Sequence, residues 1–125
     1  MTRTRVLIVD DDPDILLILR TDLDAEGFET SLAADGETAL RRIEEDRPDV
    51  VILDVMMPVL DGWATLEAMT AGGRRPPVIV LTAKTSAQDR ERAARLGADR
   101  YITKPFAPGD VVEAIRAVVT GSLSA

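Results

Sequence analysis

Four apolar runs of this 125-residue chain are each followed at once by a polar residue whose side chain could hold phosphate or a divalent cation. These residues are Asp10 and Asp11 after the run 6–9, Asp54 after 50–53, Thr82 after 78–81 and Lys104 after 101–103. Carboxylates are ligands that Mg²⁺ prefers, and hydroxyl and ammonium groups donate hydrogen bonds to phosphoryl oxygens. The pattern therefore indicates a site for a metal ion and a phosphoryl group.

Strands and helices must alternate if these residues are to meet. Runs of four to six aliphatic residues separated by helix-like segments are typical of parallel strands buried on both faces. The predicted strands are about 5–10, 28–33, 49–54, 78–81 and 100–103, and the predicted helices are about 13–26, 36–47, 63–71, 87–97 and 108–120. Polar residues at the carboxyl ends of such strands converge at one edge of the sheet. We predict an α/β fold, a doubly wound parallel sheet of five strands with five helices, in one domain over 1–125, structured from about 5 to 120 with a tail at 121–125.

Composition narrows the chemistry. Cysteine and histidine are both absent, which excludes thiol catalysis, histidine bases and the usual zinc ligands. A net charge of −7 disfavours nonspecific nucleic-acid binding, because such binding begins with a basic face. The apolar run at 6–9 is too short for a signal peptide or a membrane span. We expect a soluble, cytoplasmic protein that contacts neither nucleic acid nor membrane.

Four strings occur in order at these predicted strand ends: VDDDP at 9–13, LDVMMP at 53–58 with DG at 61–62, LTA at 81–83 and KPF at 104–106. Together they closely resemble the receiver domain of two-component response regulators, and the resemblance covers essentially the whole chain. It implies a flavodoxin-like sheet with strand order 2-1-3-4-5, the order given for a chemotaxis member of this family.

The resemblance also implies roles for the acids. Asp54 would be the phosphoacceptor, attacking the phosphoryl group of a phosphohistidine on a histidine kinase or histidine phosphotransferase. Asp11, Asp54 and the backbone carbonyl of Met56 would hold Mg²⁺, with Asp10 orienting a metal-bound water. Because the acids repel one another, the fold should be looser without the cation.

Two further residues would contact the phosphoryl group. Lys104 would pair with Asp54 before the reaction and with a phosphoryl oxygen after it, and Thr82 would donate its hydroxyl to another oxygen. The family also suggests a cis peptide between Lys104 and Pro105.

Signalling would need a second conformation. In receiver domains the counterpart of Thr82 moves toward the phosphoryl group and the aromatic counterpart of Tyr101 rotates inward, which changes the surface of the fourth helix, fifth strand and fifth helix. Met56 and Lys84 would flank the path of the hydrolytic water and tune dephosphorylation.

Partners are expected at the first helix. Five consecutive apolar residues, 15–19, exceed what one buried stripe can absorb, so part of this helix should stay exposed and apolar. In the family this helix docks on the kinase or phosphotransferase, and we expect Leu16 or its neighbours to make that contact. The output would pass to a downstream protein or to an effector domain beyond residue 125, with the chain a monomer or a dimer linked to phosphorylation.

Two alternatives come from other classes. A receiver-like module that binds partners without phosphorylation usually lacks an acid or the lysine, and this chain keeps both. A phosphatase of the haloacid dehalogenase type would use the D-x-D of Asp10 and Asp12, but it needs threonine or valine where Asp14 stands. Asp12 itself reads as a helix cap, and Asp61 with Gly62 reads as a turn.

Overall fold

The computed structural model describes residues 3–56, 62–72, 75–83 and 86–123. Strands and helices alternate along these residues in the order β1 (Arg5–Val9), α1 (Pro13–Ala25), β2 (Glu29–Ala33), α2 (Gly36–Asp46), β3 (Val50–Leu53), α3 (Gly62–Ala71), β4 (Val78–Thr82), α4 (Ala87–Arg95), β5 (Arg100–Thr103) and α5 (Pro108–Leu123). The strands form one parallel sheet in the order β2-β1-β3-β4-β5. The predicted fold class and strand order are confirmed. Lys84 and the loop 57–61, which includes Asp61, lie outside the described residues.

Both faces of the sheet are covered, which explains the uninterrupted apolar runs. Along β1, Val6 and Ile8 contribute to one cluster of buried side chains, and Leu7 and Val9 contribute to another, because successive strand residues point to opposite faces. The first cluster contains buried residues of α1 and α5, and the second contains buried residues of α2, α3 and α4. The carboxyl ends of the central strands therefore open at an edge between two helical layers.

Side-chain caps fix where three helices begin. The Asp12 carboxylate accepts a hydrogen bond from the Asp14 N–H at the start of α1, as predicted, and Asp35 accepts one from the Thr38 N–H at the start of α2. The Ser86 hydroxyl caps α4 by accepting a hydrogen bond from the Asp89 N–H. The caps at Asp12 and Ser86 fix the starts of the helices that follow β1 and β4, two strands that carry predicted site residues.

Most predicted boundaries lie within two residues of those in the structure, and two of the differences have an identifiable physical cause. The strand β2 begins at Glu29 rather than Phe28, because the Phe28 N–H donates to the Leu23 carbonyl and closes the turn after α1. The helix α5 extends to Leu123, three residues past its predicted end. A glycine in a helix costs only about 1 kcal/mol, so Gly121 does not end a helix that already packs on the core.

The helix α1 keeps an apolar surface. Leu19 and Leu23 are buried, whereas Leu17 is 64% exposed and Ile18 is 48% exposed. Leu16 is half-buried and packs against the core cluster beneath α1. The prediction that part of this helix stays exposed and apolar is confirmed, with Leu17 and Ile18 as the exposed side chains.

The helix α4 is attached differently. Ala93 is the only buried residue among its nine, all of which are described. Most of its other positions carry charged side chains, so little apolar area holds this helix against the sheet.

Candidate functional site

Backbone hydrogen bonds beyond the strand ends gather the predicted residues at one edge of the sheet. The Asp54 N–H donates to the Val9 carbonyl at 3.0 Å, which places Asp54 beside the end of β1. The Lys104 N–H donates to the Thr82 carbonyl at 2.8 Å, and so Lys104 lies beside the end of β4. The parallel ladder thus continues by one residue past β3 and β5 and brings distant positions together.

A single lysine joins two buried acids at this edge. The Lys104 Nζ lies 2.7 Å from Asp10 Oδ2 and 2.9 Å from Asp54 Oδ2. The side chains of the two acids are only 3% and 6% exposed, and that of Lys104 is 18% exposed. The contact with Asp10 was not predicted, because parallel topology brings both acids and the lysine to one edge but does not show that the lysine bonds to both acids.

The second carboxylate oxygen of each buried acid accepts a hydrogen bond from a backbone N–H. Asp10 Oδ1 accepts the Asp12 N–H at 2.9 Å, and Asp54 Oδ1 accepts the Met56 N–H at 2.8 Å. Each carboxylate is therefore oriented by a backbone N–H two residues later and by the shared lysine. Because a carboxylate oxygen has two lone pairs, both acids keep acceptor capacity toward a ligand.

A third acid completes a possible metal centre. Asp10, Asp11 and Asp54 each offer one carboxylate oxygen, and these three oxygens lie within 4.8 Å of one another. Asp11 is exposed and the other two are buried. Oxygen donors of this charge fit Mg²⁺, which takes one or two carboxylates and fills its other positions with water and phosphate oxygens.

The pKa values of two side chains in the site, Asp10 and Lys104, are raised. Burial raises the pKa of the Asp10 carboxyl above its ordinary value, and the hydrogen bonds from Lys104 and Asp12 oppose only part of that effect. Burial acts to lower the pKa of Lys104, but its bonds with Asp10 and Asp54 together outweigh burial, so this pKa is raised. The lysine is consequently held as a cation between the acids.

The two residues expected to switch lie next to this centre along the sheet. Thr82 is the last residue of β4 and is completely buried. Tyr101 lies on β5, half-buried, and packs against the cluster beneath α4. Its ring lies 4.8 Å from the guanidinium carbon of Arg90. Burial and the nearby charge of Asp89 raise the pKa of the Tyr101 hydroxyl.

Gly62 has a steric role that could not be predicted from the sequence. Gly62, the first residue of α3, is buried, and a side-chain carbon there would overlap the Asp54 carbonyl and the backbone of Val55. The missing side chain lets α3 begin directly against the chain that carries Asp54. An Asp-Gly pair indicates a turn, and only the fold reveals this close approach.

Comparison with known proteins gives a consistent result. The response regulator receiver domain family matches residues 6–116. The transcriptional regulatory protein PrrA of Mycobacterium tuberculosis is 44% identical over 119 residues, which are 95% of this chain and 51% of PrrA. The chain spans about half the length of the curated relatives it matches.

Two solved structures are also similar to it. A Francisella response regulator receiver domain has a TM-score of 0.91 and 32% identity, covering 96% of this chain and 99% of its own. The receiver domain of the sensor histidine kinase PA1611 from Pseudomonas aeruginosa has a TM-score of 0.86 and 31% identity, covering 95% and 99%. That receiver has a magnesium ion coordinated in its active site cleft. Within the described residues of the present chain, no helix has the length and apolarity needed to cross a bilayer.

Proposed function

This chain belongs to the response regulator receiver domain family, the phosphoacceptor domains of two-component signalling, and from that premise we propose that Asp54 is its phosphoacceptor. The observation that carries the proposal is the lysine shared by two buried acids. Burying a charge is costly unless it is paired, and a fold that needed only stability would gain little from two adjacent buried acids. Such an arrangement suits a carboxylate that must react.

The reaction would transfer a phosphoryl group from a phosphohistidine nitrogen. A bond forms between phosphorus and an Asp54 carboxylate oxygen as the bond from phosphorus to nitrogen breaks, and the imidazole departs as the leaving group. Phosphoryl transfer requires mainly in-line positioning and positive charge near the equatorial oxygens. Lys104 would supply that charge from its place beside Asp54, and the Thr82 hydroxyl would donate to another phosphoryl oxygen.

Mg²⁺ is the proposed cofactor. It would be held by Asp11, Asp54 and the Met56 carbonyl. Asp10 would orient a water bound to the metal, and its bond with Lys104, which fixes the Asp10 carboxylate, supports that role. The chemistry that Mg²⁺ supplies when bound is neutralisation of charge between the acids and the phosphoryl oxygens. The magnesium ion in the PA1611 receiver supports this choice of metal.

Dephosphorylation would be tuned by Met56 and Lys84, two positions after Asp54 and Thr82. The Met56 N–H donates to Asp54 Oδ1 and its side chain is half-exposed, so this side chain would restrict the approach of water to the phosphorylated acid. Substituting either residue should change the rate of dephosphorylation more than the rate of phosphorylation. Equal effects on both rates would contradict this assignment.

Phosphorylation would act by a population shift involving Thr82 and Tyr101, read out at the surface of α4, β5 and α5. Phosphorylation can shift the equilibrium between two packings only by the difference in free energy of the contacts that the phosphoryl group makes in each. Since α4 is held by little apolar area, displacing it exposes little core. This supports α4 as the element that moves.

The proposed upstream partner is a histidine kinase or histidine phosphotransferase that docks on α1. Leu17 and Ile18 offer an apolar surface, and charge substitution of both should slow kinase-dependent phosphorylation but not labelling by a small acyl phosphate. Ala68→Glu, an exposed position of α3, is the control. Unchanged transfer from the kinase would exclude α1 as the docking surface.

The downstream partner would be another protein or an effector domain that follows this single receiver domain. The half-length match to transcriptional regulators supports an effector domain. We propose that the receiver acts in the cytoplasm as a monomer or a phosphorylation-linked dimer, and that it contacts neither nucleic acid nor membrane itself.

Intact-mass analysis after incubation with acetyl phosphate tests the acceptor. We expect a single phosphate adduct that requires Mg²⁺ and is absent from Asp54→Asn. Asp12→Asn is the matched control, because asparagine preserves the helix cap while removing an equal charge close to the site. An adduct that persists in Asp54→Asn would refute the assignment, as would turnover of many phosphate esters.

A further inference from the structure

One arginine of α4 holds two residues of β5 at once. The guanidinium carbon of Arg90 lies 4.8 Å from the centre of the Tyr101 ring, and its Nη2 donates to Thr103 Oγ1 at 2.9 Å. Residues 101 and 103 project from the same side of the strand, because side chains alternate along it. The planar guanidinium can therefore stack on the ring and reach the hydroxyl together.

A second arginine contacts an aromatic ring on the other flank of α4. The guanidinium carbon of Arg92 lies 4.5 Å from the centre of the Trp63 ring on α3. Helix residues two positions apart point in directions about 160° apart around the helix axis. Arg90 thus connects α4 to β5, whereas Arg92 connects it to α3.

We propose that Arg90 is a positioning residue that holds Tyr101 in its present place and so sets the equilibrium of the phosphorylation switch. The inference rests on the proposed function of Asp54 and adds a determinant specific to this chain. Tyr101 packs toward the cluster that contains Ala93, and rotation of its ring would break the stack on Arg90. Contacts that exist in only one of two packings favour that packing by their own free energy.

Lys104 pairs with Asp54 at 2.9 Å, the arrangement expected before phosphoryl transfer, so we assign the described packing to the unphosphorylated state. Removing the stack should therefore favour the packing that phosphorylation stabilises. A ligand that selects a minor conformation binds more tightly, in apparent affinity, as that conformation becomes more populated. An exposed cation–π contact is worth about 1 kcal/mol at most, which corresponds to a population change of about fivefold. The sign of the change is diagnostic, because damage to the site would weaken binding and loss of the stack should strengthen it.

The test uses beryllofluoride, a non-covalent phosphoryl mimic, in the presence of Mg²⁺. Tyr101 is the only tyrosine in the chain, so fluorotyrosine labelling gives one resonance by which binding can be followed. We expect Arg90→Gln to bind beryllofluoride about threefold to fivefold more tightly than the unaltered protein. Arg92→Gln, which loses the same charge from the same helix, should bind as the unaltered protein does.

Each other outcome overturns something specific. Equal or weaker binding by Arg90→Gln refutes the role of Arg90 and leaves the phosphoacceptor assignment intact. Equal tightening in both variants assigns the effect to charge or to α4 as a whole, which also refutes it. Failure of the unaltered protein to bind beryllofluoride overturns the proposed function and this inference together.

Discussion

The lysine between the two buried acids permits a quantitative test by Lys104→Met, which removes the charge and keeps most of the side-chain volume. An ion pair at 2.7 or 2.9 Å is worth about 6 kcal/mol before desolvation, at an effective dielectric constant of about 20. Removing one partner of a buried pair costs about 3–5 kcal/mol, since the remaining charge stays buried. Lys104 is 18% exposed, so water can replace part of its effect, and we expect a loss of about 2–4 kcal/mol.

Urea denaturation in metal-free buffer measures this loss in the free energy of unfolding. Arg42→Met is the matched control, because it removes the cation of an exposed pair with Asp46 at 3.8 Å. An exposed pair one helical turn apart contributes only about 0.5 kcal/mol. Adding Asp10→Asn to Lys104→Met should recover part of the lost stability, because the second substitution removes one of the two stranded charges.

A loss below about 1 kcal/mol in Lys104→Met would refute the reasoning, because it would mean that the two acids are solvated without the lysine. So would a double variant that is less stable than Lys104→Met alone. Either result would show that the burial of Asp10 and Asp54 does not create the electrostatic dependence inferred here.

Three further predictions concern the metal, the glycine and a cap. Mg²⁺ at ten times its dissociation constant should stabilise the protein by about 1.4 kcal/mol in thermal unfolding, and Asp11→Asn should need a higher concentration for the same effect. Gly62→Ala should lower the free energy of unfolding by about 1–3 kcal/mol or more and slow acyl phosphate labelling, because the added carbon would overlap the Asp54 carbonyl. Gly109→Ala is the control and should be neutral or stabilising, because there is open space around Gly109. The hydrogen bond from the Thr38 N–H lowers the pKa of Asp35 below its unfolded value of 3.8. The ionised carboxylate therefore stabilises the fold at pH values above 3.8, and this contribution is lost as the pH falls through the lower pKa of the folded state. Asp35→Asn keeps the cap, so its stability should decline less steeply below about pH 4.

Much of the architecture was predictable because it depends on local patterns. The apolar runs predict buried parallel strands, and the proline after Asp12 predicts the start of α1. The convergence of strand ends follows from parallel topology, so Asp10, Asp54 and Lys104 could be placed together before their distances were known. The strand order came from the resemblance to receiver domains and not from periodicity.

Other features depend on side chains that meet only after folding. Nothing local links Lys104 to Asp10, or Arg90 to Tyr101 and Thr103. The steric role of Gly62 needs the position of the Asp54 carbonyl, which no spacing rule supplies. The end of α5 was missed because packing outweighed the weak preference of glycine against helices.

The sparse burial of α4 also bears on how such a domain diverges. A substitution in a packed core typically costs several kcal/mol, whereas most exposed substitutions change stability by less than about 0.5 kcal/mol. With Ala93 as its one buried position, α4 can accept nearly any change of charge without harming the strands that carry the acids. Lineages could therefore acquire new recipients of the signal by mutating this helix while the phosphoryl chemistry is inherited unaltered.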